Sequence, residues 1–268
     1  MDSLKVVIRR LCKKPSTYIN PGIGVGIGIG VEWKDDPDTD ADPDPDKIVS
    51  GDKIMNWFID TFRTSIGKKL LMALTGLGFL GFIIVHLLGN LTLYAGHEGL
   101  FNAYVAKLHQ YEALILVAEI GLFTLAVIHV TTGLLLFLAN RSARSVRYAV
   151  TKSGGGRTVG SATMPYTGLA IFLFVILHLS NFTFADVTDR TMYDVVVTTF
   201  SSWIYIVVYV AAVVAVAIHV RHGFWSLFQT IGLNHEKYMP ALRAISIALA
   251  VIVGVGFGLI PIYIGIIV

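Results

Sequence analysis

The stretch LLMALTGLGFLGFIIVHLLGNLTLY, from Leu70 to Tyr94, decides the fold. It holds no charged residue, and as a helix rising 1.5 Å per residue it is long enough to cross the ~30 Å hydrocarbon core of a bilayer. A backbone in hydrocarbon has no water to bond, so a single spanning segment must close its hydrogen bonds internally, as a helix does. Apolar runs of the same kind recur at Ala113–Leu138, Met164–Phe184, Trp203–Phe228 and Ala241–Ile267. None alternates polar and apolar residues as the strands of a membrane barrel do. The sequence predicts an all-α membrane protein, a bundle of five transmembrane helices.

Composition agrees. Of the 268 residues, 54% are hydrophobic and 15% charged, and the mean hydropathy is +0.69, a balance that points to lipid rather than water as the solvent. The one cysteine, Cys12, cannot form an intramolecular disulfide, and one thiolate cannot build an iron–sulfur cluster. No CxxCH occurs, which excludes the usual covalent attachment of a c-type haem. The formal net charge is +3, and the basic residues sit at the ends of the apolar runs rather than along a face that could follow phosphates. Nucleic acid is not an expected partner.

Those basic residues orient the chain. Arg63, Lys68 and Lys69 flank the start of the first run, and Arg141, Arg144, Arg147, Lys152 and Arg157 lie between the second and third. Arg221, Lys237 and Arg243 surround the fourth-to-fifth connection, whereas the opposite connections carry Glu98 and Glu112, then Asp186, Asp189 and Asp194. By the positive-inside rule the first set is cytoplasmic, so the N-terminus is expected inside and the C-terminus outside.

Four of the eight histidines, His86, His129, His178 and His219, fall inside four different apolar runs. An imidazole in hydrocarbon is costly unless it pairs with something, which makes each a functional candidate. Counted from the cytoplasmic ends, His86 and His178 lie roughly 21–24 Å in, toward the outer face. The second and fourth runs travel the other way, so His129 and His219 lie roughly 24–26 Å from the outer face, toward the cytoplasm. The result is an outer pair, His86 with His178, and an inner pair, His129 with His219. Two facing imidazoles at one level suit the axial positions of a haem iron, so the bundle is expected to enclose two b-type haems. The plainer account, that each histidine hydrogen-bonds a neighbouring helix, explains single residues better than it explains four at matched depths. His222, one helical turn after His219 on the same face, is the rival to His219 as a ligand.

Residues 1–54 read differently. A basic start, an alternating Gly-Ile-Gly-Val run over Gly22–Val31 and an Asp-Pro repeat reaching Asp46 do not describe a packed domain. No apolar core suited to a signal peptide follows the basic residues. We expect 1–54 to be a disordered or misassigned extension, with translation beginning at Met55 and the membrane domain covering 55–268. The GxGxxG match at Gly76–Gly81 lies inside an apolar run and follows no strand, so it is no dinucleotide fingerprint. Its glycines, with Gly89, Gly133 and Gly254, Gly256 and Gly258, read as sites of close helix packing. Trp203, Trp225, Tyr94 and Tyr111 fall where an interfacial aromatic belt would lie.

The stretches Ser65–Gly76, Val85–Asn90 (VHLLGN), Ile128–Gly133 (IHVTTG) and Ile218–Ser226 (IHVRHGFWS) together resemble the cytochrome b subunit of succinate dehydrogenase/fumarate reductase, of the single-polypeptide, dihaem b558 type. The resemblance runs from about Met55 to the C-terminus and includes His-x-x-x-Gly-x-Trp-Ser at His219–Ser226. It implies a multi-pass anchor in the bacterial cytoplasmic membrane that binds a flavoprotein subunit and an iron–sulfur subunit on its cytoplasmic face, and it is compatible with a dimer of the whole complex. It also implies haem ligation by His86, His129, His178 and His219, and electron exchange with menaquinone, the dicarboxylate chemistry belonging to the partners. A glutamate near the outer end of the second helix serves quinol oxidation in the dihaem fumarate reductases. Here Glu112, or His109 one turn earlier, is the expected proton-exchanging residue. Three other classes stay open on the residues alone: a cytochrome b561-like carrier without soluble partners, a secondary transporter, and a haem-free anchor.

Overall fold

The computed structural model describes residues 56, 59–96, 98–143 and 158–268. The extension 1–54, the start at Met55, His97, and Arg144, Arg147, Lys152 and Arg157 lie outside the described residues. Every apolar run forms a helix that is long and apolar enough to cross a membrane, five in all among the described residues. They are α1 (Ser65–Asn90), α3 (Glu112–Ser142), α4 (Val159–His178), α6 (Trp203–Thr230) and α7 (Met239–Ile267).

The helix ends follow local chemistry. Thr64 caps α1 by accepting the Gly67 N–H at 3.0 Å, and Thr158 with Ser161 forms a reciprocal capping box that starts α4. Both caps lie six residues before the apolar runs begin, because hydrogen bonding and not hydropathy sets where a helix starts. Pro240 sits in the first turn of α7, where its missing N–H leaves no intrahelical bond unmade. After α1 a 3₁₀ turn, Leu91–Ala95, continues to Gly96, whose φ of 72° places it in the left-handed region that glycine enters without strain. After α4 the chain widens into a π turn, Leu179–Thr183, closed by the Phe184 N–H donating to the Leu179 carbonyl at 2.9 Å.

Two short helices join this frame at the acidic end, α2 (Glu98–His109) and α5 (Met192–Phe200). Neither is an apolar run; each is amphipathic, α5 burying Tyr193, Val195, Val196 and Phe200 and α2 burying Phe101. Thr191 and Asp194 form the capping box of α5, with the Thr191 N–H and hydroxyl donating to Asp194 at 2.8 and 2.7 Å. The backbone donor and then the hydroxyl hold that exposed carboxyl below the ordinary carboxylate range. A group depressed in this way supports the cap above the unfolded pKa and loses that role as pH falls through the lowered value.

Packing makes a ring of four helices with a fifth alongside. α1 packs on α3 and α6, α4 packs on α6, and α3 touches α4 more briefly, while α7 lies along α6 and reaches α1. The diagonals of the ring are α1 with α4 and α3 with α6. Within the ring α3 buries only Thr132 and α4 buries no residue among those described. The hydrophobic core sits at the acidic end, where Leu93, Phe101, Tyr193, Val196, Phe200, Tyr209, Ile260 and Ile264 meet. Polar ties brace it: the Tyr193 N–H donates to Asn102 Oδ1 at 3.2 Å, the Tyr94 hydroxyl to the Gly256 carbonyl at 3.3 Å, and the Tyr263 hydroxyl to the Tyr94 carbonyl at 3.3 Å.

Of the α7 glycines, Gly265 is the most tightly packed. A Cβ there would lie 2.4 Å from Ile206 Cδ1 and 2.6 Å from the Phe200 carbonyl oxygen, and the backbone oxygen cannot rotate away. Gly265→Ala is expected to destabilise the protein by about 1–3 kcal/mol, the usual range for overpacking, as read from thermal melting in detergent. An unchanged melting point would show that α5 and α6 are looser at this contact than their packing indicates.

Candidate functional site: facing histidine pairs and a polar groove

The four histidines are carried one each by α1, α3, α4 and α6, and the structure brings them together across the diagonals. His86 on α1 faces His178 on α4, with ring centres 5.8 Å apart. His129 on α3 faces His219 on α6 at 6.3 Å. The fifth long helix, α7, carries no histidine and contributes Phe257 to the outer pair. His222 does not share the inner pair: its ring packs edge-on against Trp225 at 4.9 Å, and the guanidinium of Arg243 covers the same indole at 5.3 Å.

The surroundings of the two pairs differ. Aromatic rings box the outer one, with Phe82 stacked on His86 at 5.2 Å and Phe174, Phe182 and Tyr209 around His178 at 5.2–6.1 Å. Asn90 Nδ2 donates to the His86 carbonyl at 2.8 Å and stands 3.4 Å from its Nε2. The inner pair is held by hydroxyls, Thr75 Oγ1 lying 2.9 Å from His129 Nδ1 and Thr167 Oγ1 lying 3.2 Å from His219 Nδ1.

A metal–imidazole bond is about 2.0 Å long, so two imidazoles on opposite sides of one metal have ring centres roughly 6 Å apart. Both pairs meet that spacing. Among the described residues no group of three or more His, Cys, Asp or Glu could hold a bare ion. Paired imidazoles alone suit a metal whose remaining ligands come from a macrocycle, as in haem. The Nδ1 atoms of His178 and His222 are buried with no hydrogen-bond partner among the described residues, and an unpaired buried nitrogen costs about 1–3 kcal/mol. The spacing of the two pairs therefore fits two bis-imidazole haems.

A groove of about 340 Å³ opens at the acidic end between α2 and α3. It brings together His109, the last residue of α2, and Glu112, in the first turn of α3, the two residues expected to exchange protons. The same groove contains Glu119, two turns further into α3, with Val105, Leu108, Ile115 and Leu116 supplying apolar walls. Sequence reasoning passed over Glu119, although a carboxylate inside an apolar run is the signal that should have found it. Thr75 and Thr167 were also outside the sequence-based expectation, because nothing in spacing alone shows which histidine a hydroxyl will meet.

Comparison of the chain with protein-family models, with curated proteins and with solved structures finds no match.

Proposed function

We propose that this chain is the membrane-anchor, dihaem cytochrome b subunit of a succinate:quinone oxidoreductase, carrying electrons between an iron–sulfur partner subunit and menaquinone. The observation that carries the reading is the pair of facing histidine couples, His86 with His178 and His129 with His219, set across the diagonals of one helical ring. The family assignment, the flavoprotein and iron–sulfur partners and the choice of menaquinone rest on the sequence resemblance.

Each histidine couple would hold one b-type haem, which supplies a reversible one-electron carrier. The chain sets the two couples at different depths. Thr75 on α1 meets the inner couple while His86 on the same helix belongs to the outer one, so the levels are separated by about 16 Å of helix rise. That divides a ~30 Å crossing into shorter steps. The aromatic box around His86 and His178 keeps water from the outer level, and the chain's own helices position all four rings.

Quinone chemistry moves protons with its electrons, so its site needs ionisable groups at the membrane surface and apolar walls for the ring. The groove of His109, Glu112 and Glu119 offers both. Glu112 lies at the helix N-terminus, and Glu119 lies about 10 Å deeper along α3. A carboxylate oxygen at either position can accept a proton from a quinol hydroxyl, and the imidazole of His109 can pass it toward solvent. At the other end Arg63, Lys68, Lys69, Arg141, Arg221, Lys237 and Arg243 mark the cytoplasmic face by the positive-inside rule, the face on which the soluble partners would dock. The N-terminus is then inside and the C-terminus outside.

The reading is tested by a reduced-minus-oxidised spectrum with haem quantification on the purified chain. About two b haems per chain are expected, and His178→Ala should lose one while keeping the other. A folded, membrane-inserted sample without haem would remove the physical basis of the proposal. A flavoprotein and an iron–sulfur protein should co-purify from native membranes, whereas two haems without these companions would favour a b561-like carrier. In a sample with normal haem content, Glu112→Gln or Glu119→Gln should slow menaquinol turnover by roughly 10²-fold. Unchanged turnover in both variants and in His109→Gln would place proton exchange elsewhere.

A further inference from the structure

The inner histidines are each clasped by a Thr-Gly dipeptide from a neighbouring helix. Thr75-Gly76 on α1 meets His129, and Thr167-Gly168 on α4 meets His219. A Cβ on Gly76 would lie 3.5 Å from His129 Cε1, and one on Gly168 would lie 3.6 Å from His219 Cε1. The glycine gives each ring room and the threonine gives it a polar partner.

The two clasps are equivalent positions of an internal repeat. Thr75-Gly76-Leu77, Phe82, Ile84 and His86-Leu87 on α1 match Thr167-Gly168-Leu169, Phe174, Ile176 and His178 on α4, with Leu179 just after it, in the same register. Ile128-His129-Val130 and Gly133 on α3 match Ile218-His219-Val220 and Gly223 on α6. Facing histidines are therefore related residues of two similar helix pairs, and the threonine that meets each inner ring is its counterpart in the other half. A chance hydroxyl contact would have no reason to recur at the matching position.

The hydrogen bonds carry a direction. Thr75 donates its hydroxyl proton to the Leu71 carbonyl at 2.7 Å, and Thr167 donates to the Thr163 carbonyl at 3.1 Å, each one helical turn back. A hydroxyl has a single proton, and with that proton on the carbonyl each threonine accepts from the imidazole. In this arrangement His129 and His219 carry the proton on Nδ1 and donate it, leaving the Nε2 lone pair of each ring for a metal.

We propose that Thr75 and Thr167 are positioning residues that fix the Nδ1–H tautomer and ring orientation of the inner histidine couple and strengthen both imidazoles as ligands. The proposal rests on the dihaem reading above. An acceptor behind a ligating imidazole raises its basicity and favours the oxidised metal, so losing the acceptor should raise the reduction potential of the inner haem. The outer histidines have no hydroxyl partner of this kind among the described residues.

The test is a potentiometric titration with low-spin haem EPR on the full chain, comparing wild type, Thr167→Val and Thr167→Ser. Thr167→Val should keep two haems, move one midpoint potential upward together with its EPR g-values, and leave the other haem unchanged, while Thr167→Ser should restore the wild-type values. Loss of one haem in Thr167→Val with retention of both in Thr167→Ser would support the same role. Two haems with unaltered potentials and g-values in Thr167→Val, or a serine variant displaced as far as the valine one, would overturn it. If Thr167→Val does not accumulate, Thr75→Val and Thr75→Ser give the same readout. Absence of haem from the unmodified chain would instead defeat the dihaem reading, an outcome separate from all of these.

Discussion

Two imidazoles facing one another inside hydrocarbon form a constraint that neither can escape by turning to water. Each needs a partner, and the groups within reach are side chains of its own and the surrounding helices, such as Asn90 for His86, Thr75 for His129 and Thr167 for His219. In this protein that requirement is met twice, across the two diagonals of a ring made by α1, α3, α4 and α6. The ring geometry follows from it. Neighbouring helices touch, diagonal helices bring their histidines face to face, and small residues such as Gly76 and Gly168 lie where a ring comes close to a backbone. α7 lacks a histidine and lies outside this ring, packed along α6, where it joins the core at the acidic end.

The two ends of the bundle do different work. At the acidic end aromatic and β-branched side chains from α2, α5, α6 and α7 fill a core, braced by tyrosine hydroxyls that bond backbone carbonyls. The same end opens the groove of His109, Glu112 and Glu119. The basic end is held by caps and by cation and ring contacts such as Arg243 over Trp225. One level boxed by rings and the other bonded by hydroxyls place chemically similar histidines in unlike surroundings.

Much of this was legible in the residues. The scarcity of charge across Leu70–Tyr94 and its four counterparts, which hold only Glu119, Arg221 and Arg243, leaves helices as the way to satisfy the backbone, and the five spans stand where those runs lie. Because a helix rises by a constant amount per residue, counting along it put His86 level with His178 and His129 level with His219, and the rings do face one another in those pairs. The amphipathic helices α2 and α5 were not legible in the same way: their apolar faces are short, and they become helices by packing against the core at the acidic end.

The sequence by itself determined the class of the fold, the number of spans and the depth of each histidine, since hydropathy and helical rise are properties of a single segment. Only the tertiary structure decided which faces of the helices meet. It chose His219 over His222 as the partner of His129, brought Glu119 into one groove with His109 and Glu112, and set Thr75 and Thr167 behind the inner rings. Those outcomes depend on the rotation of each helix about its own axis, and that rotation is set by packing between segments distant in the chain.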